Sequence, residues 1–129
     1  MSVTRDDAEK LYLVLMRATQ SGEVAWSRRP IGSLATHVAS RINGFFTTTH
    51  EEADFGLLEL VSRAYNADTD EYFDVDGAEL VLLDGKQQVI TYTFPFAESL
   101  PRLLSAVKAQ TSDAENVLKR ILNAAKGPK

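Results

Sequence analysis

The chain has 129 residues, 18 acidic and 14 basic side chains for a formal net charge of −4, and 44% hydrophobic residues. That length suits one ordinary hydrophobic core, and the composition excludes a disordered tail or a fibre. The lack of cysteine removes disulfides, thiolate catalysis, zinc fingers and iron–sulfur clusters together.

One globular domain over residues 1–129 is expected, because no repeat, linker or low-complexity stretch divides the chain and the prolines stand alone at 30, 95, 101 and 128. The longest apolar run, Leu11 to Met16, is six residues. A bilayer span needs about 20 and a secretory leader about 7 to 15, so neither is expected and cytoplasmic residence follows.

Apolar residues at Ala8, Leu11, Leu15 and Ala18 recur at helical spacing, with Thr4 as N-cap and Gly22 as stop, and predict a helix over Asp6 to Gln20. The stretch Glu23 to Ile31, with Val24 and Trp26, reads as an edge strand or an extended connection. A second helix is expected from Ser33, with Leu34, Val38 and Ile42 inward and Asn43-Gly44 as terminator. A third is expected over Thr49 to Asn66. Thr49 and Glu52 have capping-box spacing there, and Leu57, Leu58, Val61, Ala64 and Tyr65 supply the stripe.

After Asp70 the period changes to two. Tyr72 to Val75, Ala78 to Leu83 and Gln87 to Phe94 read as three strands of a small antiparallel meander, turned at Asp76-Gly77 and Asp84-Gly85. Two helices close the chain. Ser99 opens the first, which runs through Gln110, and Ser112 with Glu115 opens the second, whose stripe is Ala114, Val117, Leu118, Ile121, Leu122 and Ala125. The expected class is α+β: three N-terminal helices, a three-stranded meander and two C-terminal helices, with a winged-helix-like core as one form of it.

The seven glycines make neither a Walker loop nor a dinucleotide fingerprint, and there is no G-x-S-x-G elbow or S-x-x-K. His50 and Asp54, four apart, would share one face of a helix, with His37 as a third ligand. The commoner meaning of acids at a helix start is capping and dipole compensation, so no metal or other cofactor is expected. Placing Asp74 and Asp76-Gly77 at positions 3, 5 and 6 of a calcium loop puts Tyr72 and Leu83 where carboxylates are needed, and that template fails. Glu51, Glu52, Asp54 and Asp74 could form an acid–base pair, but nothing in the sequence brings two of them together, so a non-enzymatic protein is expected.

Charge segregation is the informative nonlocal feature: residues 51–84 carry a net −10, and residues 85–129 a net +4. An unneutralised acidic face steers a basic partner toward itself. The expected function is therefore a binding or adaptor protein, of inhibitor or immunity type, whose partner is another protein with a basic surface and not a membrane. The candidate partner-binding residues are Asp68, Asp70, Glu71, Tyr72, Asp74 and Asp76, with Phe55, Tyr65 and Phe73 as further aromatic anchors. The alternative is a winged-helix-like, DNA-associated transcriptional regulator using Arg28, Arg29, Lys86, Gln87 and Gln88. The acidic start of its recognition helix argues against direct base reading. Self-association through the two-faced last strand or the apolar terminal helix is a further expectation.

Overall fold

The computed structural model describes residues 3–31, 41–84, 89–112 and 114–126. Thr4 caps the first helix, α1 (Arg5–Ser21), through a reciprocal pair of hydrogen bonds with Asp7, and Gly22 ends it in the left-handed conformation at φ 84°. The chain then forms β1 (Ser27–Arg28), β2 (Arg41–His50), β3 (Ala53–Asn66), β4 (Glu71–Asp84), β5 (Val89–Thr93), α2 (Leu100–Thr111) and α3 (Ala114–Ala125). The five strands form one antiparallel sheet in sequence order.

The expected helix-rich N-terminal half is overturned. Among the described residues it holds one helix, and the sheet has five strands in place of three. The helix expected over Thr49 to Asn66 is instead the β2–β3 turn followed by the whole of β3. Within Phe55 to Val61, interrupted only by Gly56 and Glu59, apolar residues fall on adjacent positions (Leu57-Leu58, Leu60-Val61) because β3 is buried on both faces. Such a run satisfies a helical stripe as readily as a strand. Of the helix expected from Ser33 to Ile42, residues 33–40 lie outside the described residues, and Ile42 belongs to β2. Asn43-Gly44 serves as a bulge in β2, where the register with β3 shifts between Ile42 and Gly44. Asp76-Gly77 is not a turn either: it lies inside β4, paired with Val61 and Leu60. The pairing expected across Asp84-Gly85 is present, with Asp84 opposite Val89.

One face of the sheet packs against α1 and α2. Tyr12 and Leu15 of α1 and Leu103 and Val107 of α2 meet Phe46, Leu57 and Leu80 there, with Trp26 at the margin. The other face buries Ile42, Phe45, Leu58, Leu60, Val81 and Leu83. Gly56 is needed on that second face, since a Cβ would approach Phe45 and Val81 to 3.0 Å.

Two polar ties join the helices. Glu9 of α1 accepts hydrogen bonds from the Ser99 backbone N–H at 2.8 Å and from its hydroxyl at 2.6 Å. Those bonds, with Arg102 and Arg5 nearby, hold its carboxyl below the usual glutamate range. At the far end, Gln110 accepts from the Trp26 N–H at 2.7 Å and donates to the Thr19 and Val24 carbonyls at 3.0 and 2.7 Å. The buried Trp26 indole donates to Thr19 Oγ1 at 2.9 Å.

Gln110→Ala removes the partner of three backbone groups at once. It should lower stability by about 1–3 kcal/mol, measured by denaturant unfolding followed through Trp26, the single tryptophan. A second expectation comes from the β2–β3 turn, where Glu51 and Glu52 sit at φ 49° and 64°. A two-residue turn of this kind favours Asn-Gly, and each side chain there costs about 1 kcal/mol. The double variant Glu51→Asn, Glu52→Gly should therefore raise stability by about 1–2 kcal/mol in the same assay.

Candidate functional site

The pairing of β3 with β4 runs from Phe55 opposite Leu82 to Asn66 opposite Glu71. Among the described residues, which resume at Arg41, β2 pairs with β3 as far as Arg41 opposite Val61, and β5 ends at Thr93, opposite Val81. From Ser62 and Val75 outward β3 and β4 are, among those residues, each other's only sheet neighbours, and they form a ribbon about 17 Å long at ~3.4 Å per residue. Its end is a loop in which Asp70 takes φ 54° and accepts a hydrogen bond from the Tyr65 hydroxyl, while the Asp68 N–H donates to Asn66 Oδ1 at 2.9 Å. That bond to Asp70 holds the Tyr65 phenol above its ordinary pKa.

Residues opposite one another share a face, so the register assigns every side chain on the ribbon. The face shared with α1 and α2 carries Arg63, Tyr65, Tyr72, Asp74 and Asp76. The Tyr65 and Tyr72 rings are 5.2 Å apart, the Arg63 guanidinium lies 4.7 Å from the Tyr72 ring centre, and Arg41 reaches Asp74 at 3.9 Å. Both tyrosines are more than half exposed. The opposite face carries Ser62, Ala64, Glu71, Phe73 and Val75, with Phe73 and Val75 exposed.

At the root of the ribbon, on the α2 side, lies a groove of about 330 Å³. Phe96, Pro101 and Leu104 form its apolar wall, and Glu59, Lys108 and Asp76 line the polar side. Glu59 and Lys108 form an ion pair at 2.5 Å. Phe96 is 57% exposed, so the groove has an apolar lip open to solvent.

The structure thus brings Tyr72, Asp74 and Asp76 onto one face, beside Asp70 in the loop, and places Glu71 on the other face and Asp68 at the tip. Phe55 is not an anchor: it is buried in the core at 6% exposure. Sequence reasoning missed Arg41, Arg63 and Phe96. The two arginines sit outside any charge run, and Phe96 follows a strand end with no period to mark it.

Lys108 of the basic C-terminal region pairs with Glu59 of the acidic block, and Asp74 of that block pairs with Arg41. Residues 62–76 carry five acidic side chains and one arginine, a net −4.

The DNA alternative loses the helix on which it rested. Arg28 lies over the Phe46 ring at 5.6 Å, the Arg29 N–H donates to the Phe45 carbonyl at 2.8 Å, and Lys86, Gln87 and Gln88 lie outside the described residues. His50 and Asp54 flank a hairpin turn, where Asp54 accepts from the Thr49 hydroxyl at 2.6 Å; His37 lies outside the described residues. Among the described residues no group of three or more His, Asp or Glu is placed to hold a metal ion. Of the carboxylates considered for acid–base work, Glu51, Glu52 and Asp54 lie at one end of β3. Asp74 sits opposite Arg63, nine residues further along, or about 30 Å away.

Compared with family models, curated proteins and solved structures, the chain matches none. Among the described residues no helix is long and apolar enough to cross a membrane.

A ribbon whose strands, among the described residues, pair only with each other opens more readily than the sheet at its root. Amides of Ser62–Asn66 and Glu71–Val75 should exchange hydrogen ~10- to 100-fold faster than those of Leu57–Leu60 and Ala78–Val81. Equal protection would mean that something beyond the β3–β4 pairing holds the ribbon.

Proposed function

We propose that this is a cytoplasmic, non-enzymatic protein-binding module that docks a partner with a basic surface on the β3–β4 ribbon and the groove at its root. The observation that carries the reading is that, among the described residues, β3 and β4 pair on beyond the ends of β2 and β5. That stretch carries exposed Tyr65, Tyr72 and Asp74, and Asp76 at its root lines the groove with Phe96. Exposed tyrosines ringed by carboxylates suit an interface: the rings supply area at small entropic cost, and the charges set orientation and encounter rate. Arg63 and Arg41 brace this surface by holding Tyr72 and Asp74 in place.

The test is capture of partners from a native lysate by the full chain and by the variant Asp70→Asn, Tyr72→Ala, Asp74→Asn, Asp76→Asn. These side chains are exposed, so the variant should keep its fold. A basic protein should be retained by the parent chain, released by salt, and retained at least ~10-fold less by the variant. Retention unchanged in the variant would overturn the assignment of this surface.

A further inference from the structure

Strand β4 has an open edge. Among the described residues β3 pairs with it as far out as Asn66 opposite Glu71, whereas β5 pairs with it only as far as Thr93 opposite Val81. One more bond follows, from the Phe94 N–H to the Leu80 carbonyl at 2.9 Å. Pro95 has no N–H to continue the ladder, and the chain leaves for α2. In an antiparallel strand the N–H and C=O of one residue point to the same side, and the side alternates along the chain. Leu80 points to the β5 side, and the β3–β4 register runs without a shift from Leu82 to Glu71, so Ala78, Asp76, Asp74 and Tyr72 point to that side as well. Tyr72, Asp74 and Asp76 are exposed, and among the described residues no strand pairs with their outward N–H and C=O groups. Such an edge is a template for a further strand.

The side chains beside the edge define what fits it. From Glu71 to Glu79, β4 carries four carboxylates, Glu71, Asp74, Asp76 and Glu79, and no basic residue. Asp74 and Asp76 lie between Tyr72 and Ala78 on the face shared with α1 and α2. The arginines of that face approach from the opposite side of β4: Arg63 from β3, over the Tyr72 ring, and Arg41 from β2, 3.9 Å from Asp74. Lys108, across the groove, is bound to Glu59, and among the described residues Asp76 has no ion pair. Where Ala78 lines the groove, the facing wall is Phe96, Pro101 and Leu104. Two β4 edges do not suit each other, because antiparallel pairing about Val75 sets Asp74 against Asp76 and Glu71 against Glu79.

Resting on the partner-binding reading above, we propose that the partner enters as an extended segment that adds to the open edge of β4 as an antiparallel strand, in line with β5. The segment has the pattern apolar-x-basic-x-basic. Its apolar side chain, opposite Ala78, enters the groove, and its basic side chains lie opposite Asp76 and Asp74. Backbone bonds give the affinity and the alternate side chains the specificity.

The probe is a blocked, fluorescein-labelled heptapeptide, Thr-Leu-Thr-Lys-Thr-Lys-Thr, titrated with the full chain at low salt and followed by anisotropy. Saturable binding with a Kd below ~1 mM is expected, and its absence would overturn the proposal. Methylating the backbone nitrogens of the leucine and the two lysines, which face β4, should weaken binding at least ~10-fold; methylating those of the central threonines, which face away, should change it less than ~2-fold. Equal effects of the two methylations would mean that the peptide is held by charge alone, and would overturn the added strand. Asp76→Pro removes an outward N–H and leaves the β3–β4 ladder intact, so it should weaken binding a further ~3- to 10-fold beyond Asp76→Asn, which removes only the charge. Equal weakening by the two variants would count against the edge. In lysate capture, a basic partner lost with the four-residue variant but retained equally by Asp76→Pro and Asp76→Asn would keep the proposed surface and discard the strand addition. Capture unchanged in the four-residue variant discards the surface itself.

Discussion

The uninterrupted ladder between β3 and β4 is the constraint from which the rest of the architecture follows. Its inner half is buried on both faces: the two helices pack on one, and on the other Leu58, Leu60 and Val81 are buried together with Ile42 and Phe45 of β2. A one-residue slip would exchange the two faces and put Glu59 among the aliphatic side chains of that second cluster, so burial pins the register. Because register is transmitted along a ladder, the pinned inner half also decides which side chains face which way on the outer half, where no core exists to decide it. Tyr65 and Tyr72 meet, and Phe73 and Val75 share the other face, because Leu57 lies opposite Leu80 several residues inward.

The helices secure that inner half through residues far apart in sequence. Glu9 is bonded to Ser99, and Gln110 to Thr19, Val24 and Trp26. The Tyr12 hydroxyl donates to the Pro95 carbonyl at 2.5 Å, and burial raises its pKa to about 12. Each of these groups satisfies a helix end or a turn that would otherwise be buried without a partner. They fix the approach of α2 to the sheet, and with it the wall of the groove formed by Phe96, Pro101 and Leu104.

What the sequence discloses depends on whether a segment's signal is local. Thr4, Gly22 and the apolar period from Ser99 to Gln110 are local signals: α1 stands where its caps and period place it, and α2 where its period does, although Ser99 donates to Glu9 and makes no side-chain cap. β3 is different. Leu57-Leu58 and Leu60-Val61, on either side of Glu59, are apolar on adjacent positions because both faces of the strand are buried, and nothing within the segment separates that from a helical stripe. Asp76-Gly77 has the chemistry of a turn, yet pairing with Val61 and Leu60 keeps it extended. A Cβ at Gly77 would meet nothing within 4 Å, so no packing demand explains glycine there. The acidic block was legible as charge, but its form was not: the same residues read as two short strands around a turn, whereas they form one side of a long ribbon. Arg41 and Arg63 become relevant only through that register.

The ribbon also shows how one short element can present two surfaces of different chemistry. Alternate residues of a strand point to opposite sides, so five residue pairs carry two chemistries: tyrosine, arginine and aspartate on one side, Phe73, Val75 and Glu71 on the other. An isolated two-stranded ribbon is marginal on its own. A ligand that orders either face therefore lowers the conformational cost of binding at the other, through the ladder itself and without any change in the sheet behind it.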